Sequence, residues 1–243
     1  MIAERKIRGG KGFMAVYEAE KGDLALVWFH GGGLEGGKPR DNAHLAPALT
    51  AAGVTLILPG YRFLQDEPWP ACVLDAADAV ATAARRFPDK KIVVGGSSAG
   101  AYLSMMLCLD GQYLGKHGMK PDDVAGWIFD AGQPTVHFNV LKHRGEDSRL
   151  CRLDETAPLY HVAGPGPDAP ILILCADHDM ACRVQQNRLM VETLEHFGRR
   201  KEATEMYVLE GYGHCGYDAP TEDKPVPELQ TYMLDWLKRK FNI

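Results

Sequence analysis

Gly96-Ser97-Ser98-Ala99-Gly100 follows directly on the run Lys91-Ile92-Val93-Val94-Gly95, and a helix-forming run, Ala101 to Leu109, follows it. A G-x-S-x-G pentapeptide between a strand and a helix demands a particular backbone. A serine that must attack a carbonyl leaves the sheet on a tight turn and points at solvent. The turn crowds the main chain, so the positions two before and two after the serine must be small. The pentapeptide alone arises by chance in Gly-rich loops; the strand before it and the helix after it give it weight. The glycine register selects Ser98 over its neighbour Ser97, which is expected to bond locally.

The rest of the chain repeats that alternation. Short apolar runs read as buried strands at Leu24 to Phe29, Val54 to Leu58, Lys91 to Gly95, Val124 to Phe129 and Ile171 to Cys175. Phe13 to Glu18 and Glu205 to Leu209 read as strands as well. Between them the pattern predicts helices over Asp41 to Ala52, Pro70 to Phe87, Val184 to Gly198 and Val226 to Phe241. Strands alternating with helices call for an α/β fold: a mostly parallel sheet covered on both faces. One stretch departs from the alternation, Ala131 to Asp168, running into the breaker-rich Gly164-Pro165-Gly166-Pro167. A connection that long is either a lid-like insertion over a site or a helical excursion that only packs.

The 243 residues suffice for a single domain spanning 1–243. A net charge of -5 and no dense Lys/Arg block argue against a nucleic-acid partner. The charged start, Met1-Ile2-Ala3-Glu4-Arg5-Lys6, carries no secretory signal, and no run is apolar enough to span a membrane. The six cysteines (Cys72, Cys108, Cys151, Cys175, Cys182 and Cys215) are scattered, with no C-x-x-C among them. They point to free thiols in a reducing, cytoplasmic compartment and to no structural metal.

A serine nucleophile needs a base, a group that orients the base, and donors for the oxyanion. His30-Gly31-Gly32-Gly33 follows the Leu24 to Phe29 strand, and its bare backbone can approach a substrate oxygen. Gly32, Gly33 and Ala99 are the candidate oxyanion donors, the pairing described for esterase glycine loops and serine turns. His30 is expected to anchor that loop. The strand Ile171 to Cys175 runs into Asp177-His178-Asp179, on the edge where α/β sites form. Asp179 is the better-placed acid; Asp177 competes, and could instead tie down the turn. His214, in Gly211-Tyr212-Gly213-His214-Cys215-Gly216, is the candidate base. Of the nine histidines it alone sits in a glycine-rich loop beyond the last strand. The order Ser98, Asp179, His214 is that of an α/β-hydrolase, and differs from the chymotrypsin and subtilisin orders.

At these residues the chain resembles the hormone-sensitive-lipase-like branch of the α/β-hydrolases and the short bacterial esterases near it, including acetyl-xylan and feruloyl esterases. Gly60-Tyr61-Arg62-Phe63 with Glu67-Pro68-Trp69-Pro70, and Ala157-Pro158-Leu159-Tyr160-His161-Val162, are similar to further motifs of that branch. The chain lacks the long N-terminal cap of the lipases, and Leu34 stands after the glycines where an aromatic is common. Those departures favour an open pocket. The resemblance implies a cofactor-free carboxylic ester hydrolase taking a small or polar ester, through Ser98, His214 and Asp179. An arylformamidase or a prolyl-oligopeptidase-like peptidase is the rival within enzymes. A hydrolase-fold binding protein without turnover is the rival outside them. Oligomeric state is open.

Overall fold

Six consecutive apolar residues in Leu24–Phe29 cannot face water on either side, and all six are buried. Alternate side chains divide between two cores. Ala25, Val27 and Phe29 join the cluster on one face of the sheet, and Leu24, Leu26 and Trp28 the cluster on the other. The computed structural model describes residues 4–8, 12–164 and 166–243. Met1–Ala3 of the charged start and Pro165 of the breaker run lie outside the described residues.

The elements in chain order are β1 (Glu4–Arg8), β2 (Phe13–Tyr17), β3 (Leu24–Phe29), α1 (Ala46–Ala51), β4 (Val54–Leu58), α2 (Ala71–Arg86) and β5 (Lys91–Ser97). There follow α3 (Ala99–Leu109), α4 (Gln112–Gly115), β6 (Gly126–Asp130), α5 (Phe138–His143), β7 (Ile171–His178), α6 (Arg183–His196), β8 (Thr204–Gly213) and α7 (Glu228–Phe241). The strands form one sheet in the order β1-β2-β4-β3-β5-β6-β7-β8. β1 pairs antiparallel with β2, and β2 with β4; every later pairing is parallel. Residues of α2, α3 and α6 cover one face, and residues of α1 and α7 the other.

The predicted helix over Asp41 to Ala52 is two pieces, a 3₁₀ turn Pro39–Leu45 and then α1. Pro47 explains the break. It has no N–H to give the preceding turn and is tolerated only in the first turn of a new helix. β1 is an addition to the sequence reading. It is the outer strand and carries Glu4, Arg5, Lys6 and Arg8, the charged composition that edge strands favour and that hides them from hydrophobic periodicity.

The stretch 131–168 holds α5 and a 3₁₀ turn, Pro158–His161. It is pinned to the body: Val136, Val140, Leu141, Ala157 and Leu159 enter the core, and the Tyr102 hydroxyl donates to Thr156 O. Among the described residues no helix is long and apolar enough to cross a membrane.

Candidate active site

Three parallel strands deliver the site at their C-terminal ends. β5 stops at Ser97, and Ser98 takes φ 54° and ψ −111° before α3 begins at Ala99. A positive φ at a non-glycine residue is strained and persists only where its surroundings enforce it. Here the surroundings are close backbones. A Cβ on Gly100 would stand 2.0 Å from Phe29 O, and one on Gly96 2.5 Å from the same oxygen. The two glycines therefore let the start of α3 rest directly on the end of β3. The Ser98 N–H donates to Asp130 O at 2.7 Å, which ties the turn to β6.

The Ser98 hydroxyl donates to His214 Nε2 at 2.7 Å. His214 Nδ1–H in turn donates to Asp179 Oδ1 at 2.6 Å. The Asp179 side chain is 1% exposed, whereas His214 is 27% exposed and open to an incoming molecule. Asp179 Oδ1 also accepts the Met180 N–H at 2.6 Å. Asp177 lies apart from this line. Its Oδ1 accepts the N–H groups of Gly211 and Tyr212 at 2.9 and 3.2 Å, so it braces the loop that leads to His214. That loop has two more anchors, His44 Nε2–H to Asp218 Oδ1 at 2.9 Å and the Tyr217 hydroxyl to Asp130 Oδ1 at 2.5 Å.

The glycine loop lies over the serine: a Cβ on Gly31 would stand 3.4 Å from Ser98 Cβ. His30 Nδ1–H donates to Gly31 O at 2.7 Å, its ring stacks on Tyr61 at 4.4 Å, and the Tyr61 hydroxyl donates to His30 O at 2.8 Å. Arg62 holds Asp75 through Nε and Nη2 at 2.9 and 2.8 Å, fixing the segment that carries Tyr61. Asn139 Nδ2 donates to Gly33 O at 2.6 Å. Among the described residues no backbone acceptor takes the N–H of Gly32, Gly33 or Ala99. Ala99 opens α3, where the first N–H groups have no intrahelical partner and the helix dipole is positive. Leu34, read as favouring an open pocket, is fully buried in the core and lines no surface.

Two groups beside the site carry weak sequence signals. Asp130 ends β6 as the carboxylate of an otherwise apolar strand. It is fully buried, and burial raises its carboxyl to about 7 against the pull of Ser97 and Tyr217. Arg183, the first residue of α6, is 3% exposed; burial lowers its affinity for a proton while nearby Asp179 raises it. Of the cysteines, Cys72, Cys108 and Cys175 are buried and Cys151 and Cys182 exposed. Burial pushes the Cys215 thiol, beside His214, well above its ordinary range. Among the described residues no three His, Cys, Asp or Glu side chains group as a metal site.

The fold is that of an α/β-hydrolase. A family model described as alpha/beta hydrolase fold matches residues 26–127. An acetyl-hydrolase of Streptomyces hygroscopicus is 34% identical over 92 residues, covering 37% of this chain and 31% of that protein. The match thus spans about a third of the relative's length. Esterase 2 of Thermogutta terrifontis, solved after phosphonylation by sarin, superposes with a TM-score of 0.78 at 17% identity, covering 98% of this chain and 95% of that one. Its propionate-bound form gives a TM-score of 0.74 at 17% identity, covering 98% and 94%. Those structural likenesses speak for the fold.

Proposed function

We propose that the protein is a serine carboxylic ester hydrolase acting on small or polar esters. The observation that carries this reading is the unbroken line from Ser98 Oγ to His214 Nε2 at 2.7 Å and from His214 Nδ1 to Asp179 at 2.6 Å, beside uncommitted amides. The acetyl-hydrolase and esterase relatives support it.

Ser98 Oγ attacks the acyl carbon while His214 Nε2 takes its proton. Asp179 holds the imidazole in the tautomer that leaves Nε2 free to accept, and stabilises the imidazolium that forms. The N–H groups of Gly32, Gly33 and Ala99 receive the charge developing on the carbonyl oxygen; each such donor lowers the barrier by about 3–4 kcal/mol. The carbon–oxygen bond of the ester breaks as His214 returns the proton to the departing alcohol. Water, deprotonated by His214, then attacks the acyl-enzyme, releasing the acid and restoring Ser98.

Hydrolysis of a short-chain nitrophenyl ester by wild type and Ser98→Ala tests this. The expected result is loss of turnover in a variant with unchanged circular dichroism. A fluorophosphonate should label wild type at Ser98 and leave the variant unlabelled. Retained turnover in Ser98→Ala would move the nucleophile elsewhere. Parallel rates on a formylated aromatic amide and a proline dipeptide amide separate the ester reading from its amide-cleaving rivals.

A further inference from the structure

We infer that the cavity between α5 and the acid turn receives a carboxylate carried by the ester substrate, with the Arg183 guanidinium as its counter-charge. The inference rests on the ester-hydrolase reading and narrows its substrate class.

The cavity measures about 260 Å³ and is lined by Gln133, Phe138, Cys151, Met180, Arg183 and Gln186 among others. Two of these place it close to the triad's acid turn and to the glycine loop. The Phe138 ring stands 3.7 Å from where a Cβ on Gly33 would be, and Met180 follows Asp179 directly. Its volume is below that of pockets for drug-sized ligands, so it suits a short chain and excludes a long acyl tail.

Arg183 is the unusual wall. It is 3% exposed, yet among the described residues no carboxylate oxygen lies within 4.0 Å of it. Its acceptors are uncharged: Ala131 O, Gln133 Oε1 at 3.3 Å and Met180 Sδ at 3.5 Å. A buried cation without a paired anion is unfavourable. Arg183 also opens a 14-residue helix, the end at which the macrodipole already favours an anion over a cation. Asp179 lies near enough to be felt, but beyond 4.0 Å, so the guanidinium makes no contact ion pair. Beside Arg183, Gln186 Nε2 donates among the described residues only to Cys151 Sγ at 3.3 Å, a weak acceptor that an incoming oxygen can replace. The guanidinium of Arg149, at the rim, is held by Asp147. Positive potential from the guanidinium and the helix end, an exchangeable amide donor and the absence of a contact ion pair converge on one small cavity beside the acid turn.

Two pairs of esters test this and tell the acyl side from the alcohol side. The first is the 4-nitrophenyl monoester of glutaric acid against 4-nitrophenyl pentanoate. The second is 4-acetoxybenzoate against its methyl ester. In one pair kcat/KM for the anionic ester should exceed that for the neutral one by about tenfold or more. Arg183→Gln should lower that ratio by about tenfold. Gln186→Glu, which adds a carboxylate to the same wall, should lower it too, and serves if Arg183→Gln does not fold. Equal or inverted preference in both pairs, or a ratio unchanged in the folded variants, overturns the inference. Fluorophosphonate labelling run in parallel separates the two levels. Labelled enzyme without the preference rejects the carboxylate site alone; unlabelled enzyme rejects the hydrolase reading and this inference with it.

Discussion

The Tyr217 hydroxyl donates to Asp130 Oδ1 at 2.5 Å, and the main-chain carbonyl of the same Asp130 accepts the Ser98 N–H at 2.7 Å. One buried residue at the end of β6 therefore joins the serine turn to the loop that carries His214. The coupling runs through a hydrogen bond in a dry interior, where an unmade bond is expensive. Tyr217→Phe removes the donor and leaves a buried carboxyl oxygen alone. The expected cost is about 1–3 kcal/mol in urea unfolding, with kcat falling more than KM changes.

Asp130 makes stability depend on pH. Its carboxyl titrates at about 7 in the folded protein, against an ordinary value of 3.8. Between those values the unfolded chain has released a proton that the native protein still holds. Stability is then fully present below pH ~4, falls as pH rises through 7, and levels off above it, by an amount on the order of 4 kcal/mol. Asp130→Asn should flatten that slope in melting temperatures measured from pH 4 to 9. An unchanged slope would place the titration elsewhere.

The two aspartates of the acid turn should part company in kinetics. Asp179→Asn turns a donor toward His214 Nδ1 and favours the tautomer that cannot accept from Ser98. A drop in kcat of about 10⁴, with little change in KM, is expected. Asp177→Asn loosens the Gly211–Tyr212 turn at an exposed site. Its kcat should fall less than about tenfold, because only the bracing of the His214 loop is touched.

Gly100→Ala should be among the most damaging single-methyl additions. The new Cβ would stand 2.0 Å from Phe29 O, a backbone atom that cannot swing aside. Overpacking of this kind costs about 1–3 kcal/mol or more. Soluble yield and melting temperature, compared with the exposed-site control Gly118→Asn, provide the measurement.

Asn139→Ala should loosen the glycine loop without touching Ser98, His214 or Asp179. The lost bond from Nδ2 to Gly33 O at 2.6 Å lets the loop's amides drift from the oxyanion position. A fall in kcat of roughly tenfold or more, with slower fluorophosphonate labelling, is expected.

Much of this arrangement is legible in one dimension because its causes are local. The strand-turn-helix around Ser98 is written in residues 91–109, and the glycines at 96 and 100 report their own crowding. The helix break at Pro47 is local too, and could have been read from the ring's missing N–H. β1 could not be found by apolar periodicity, since an edge strand needs no buried face.

The amino-acid sequence by itself determined the alternation of strands and helices, the serine turn, and the chain order of serine, acid and histidine. Each follows from the side chains of a few adjacent residues and the backbone shapes they permit. Only the tertiary structure decided that Asp179 meets His214 while Asp177 braces a turn, that Asp130 and Tyr217 lock together 87 positions apart, and that Arg183 faces a cavity with no carboxylate in direct contact among the described residues. Those are distances between segments remote along the chain. They are set by how helices and loops pack on the sheet, which no local pattern encodes.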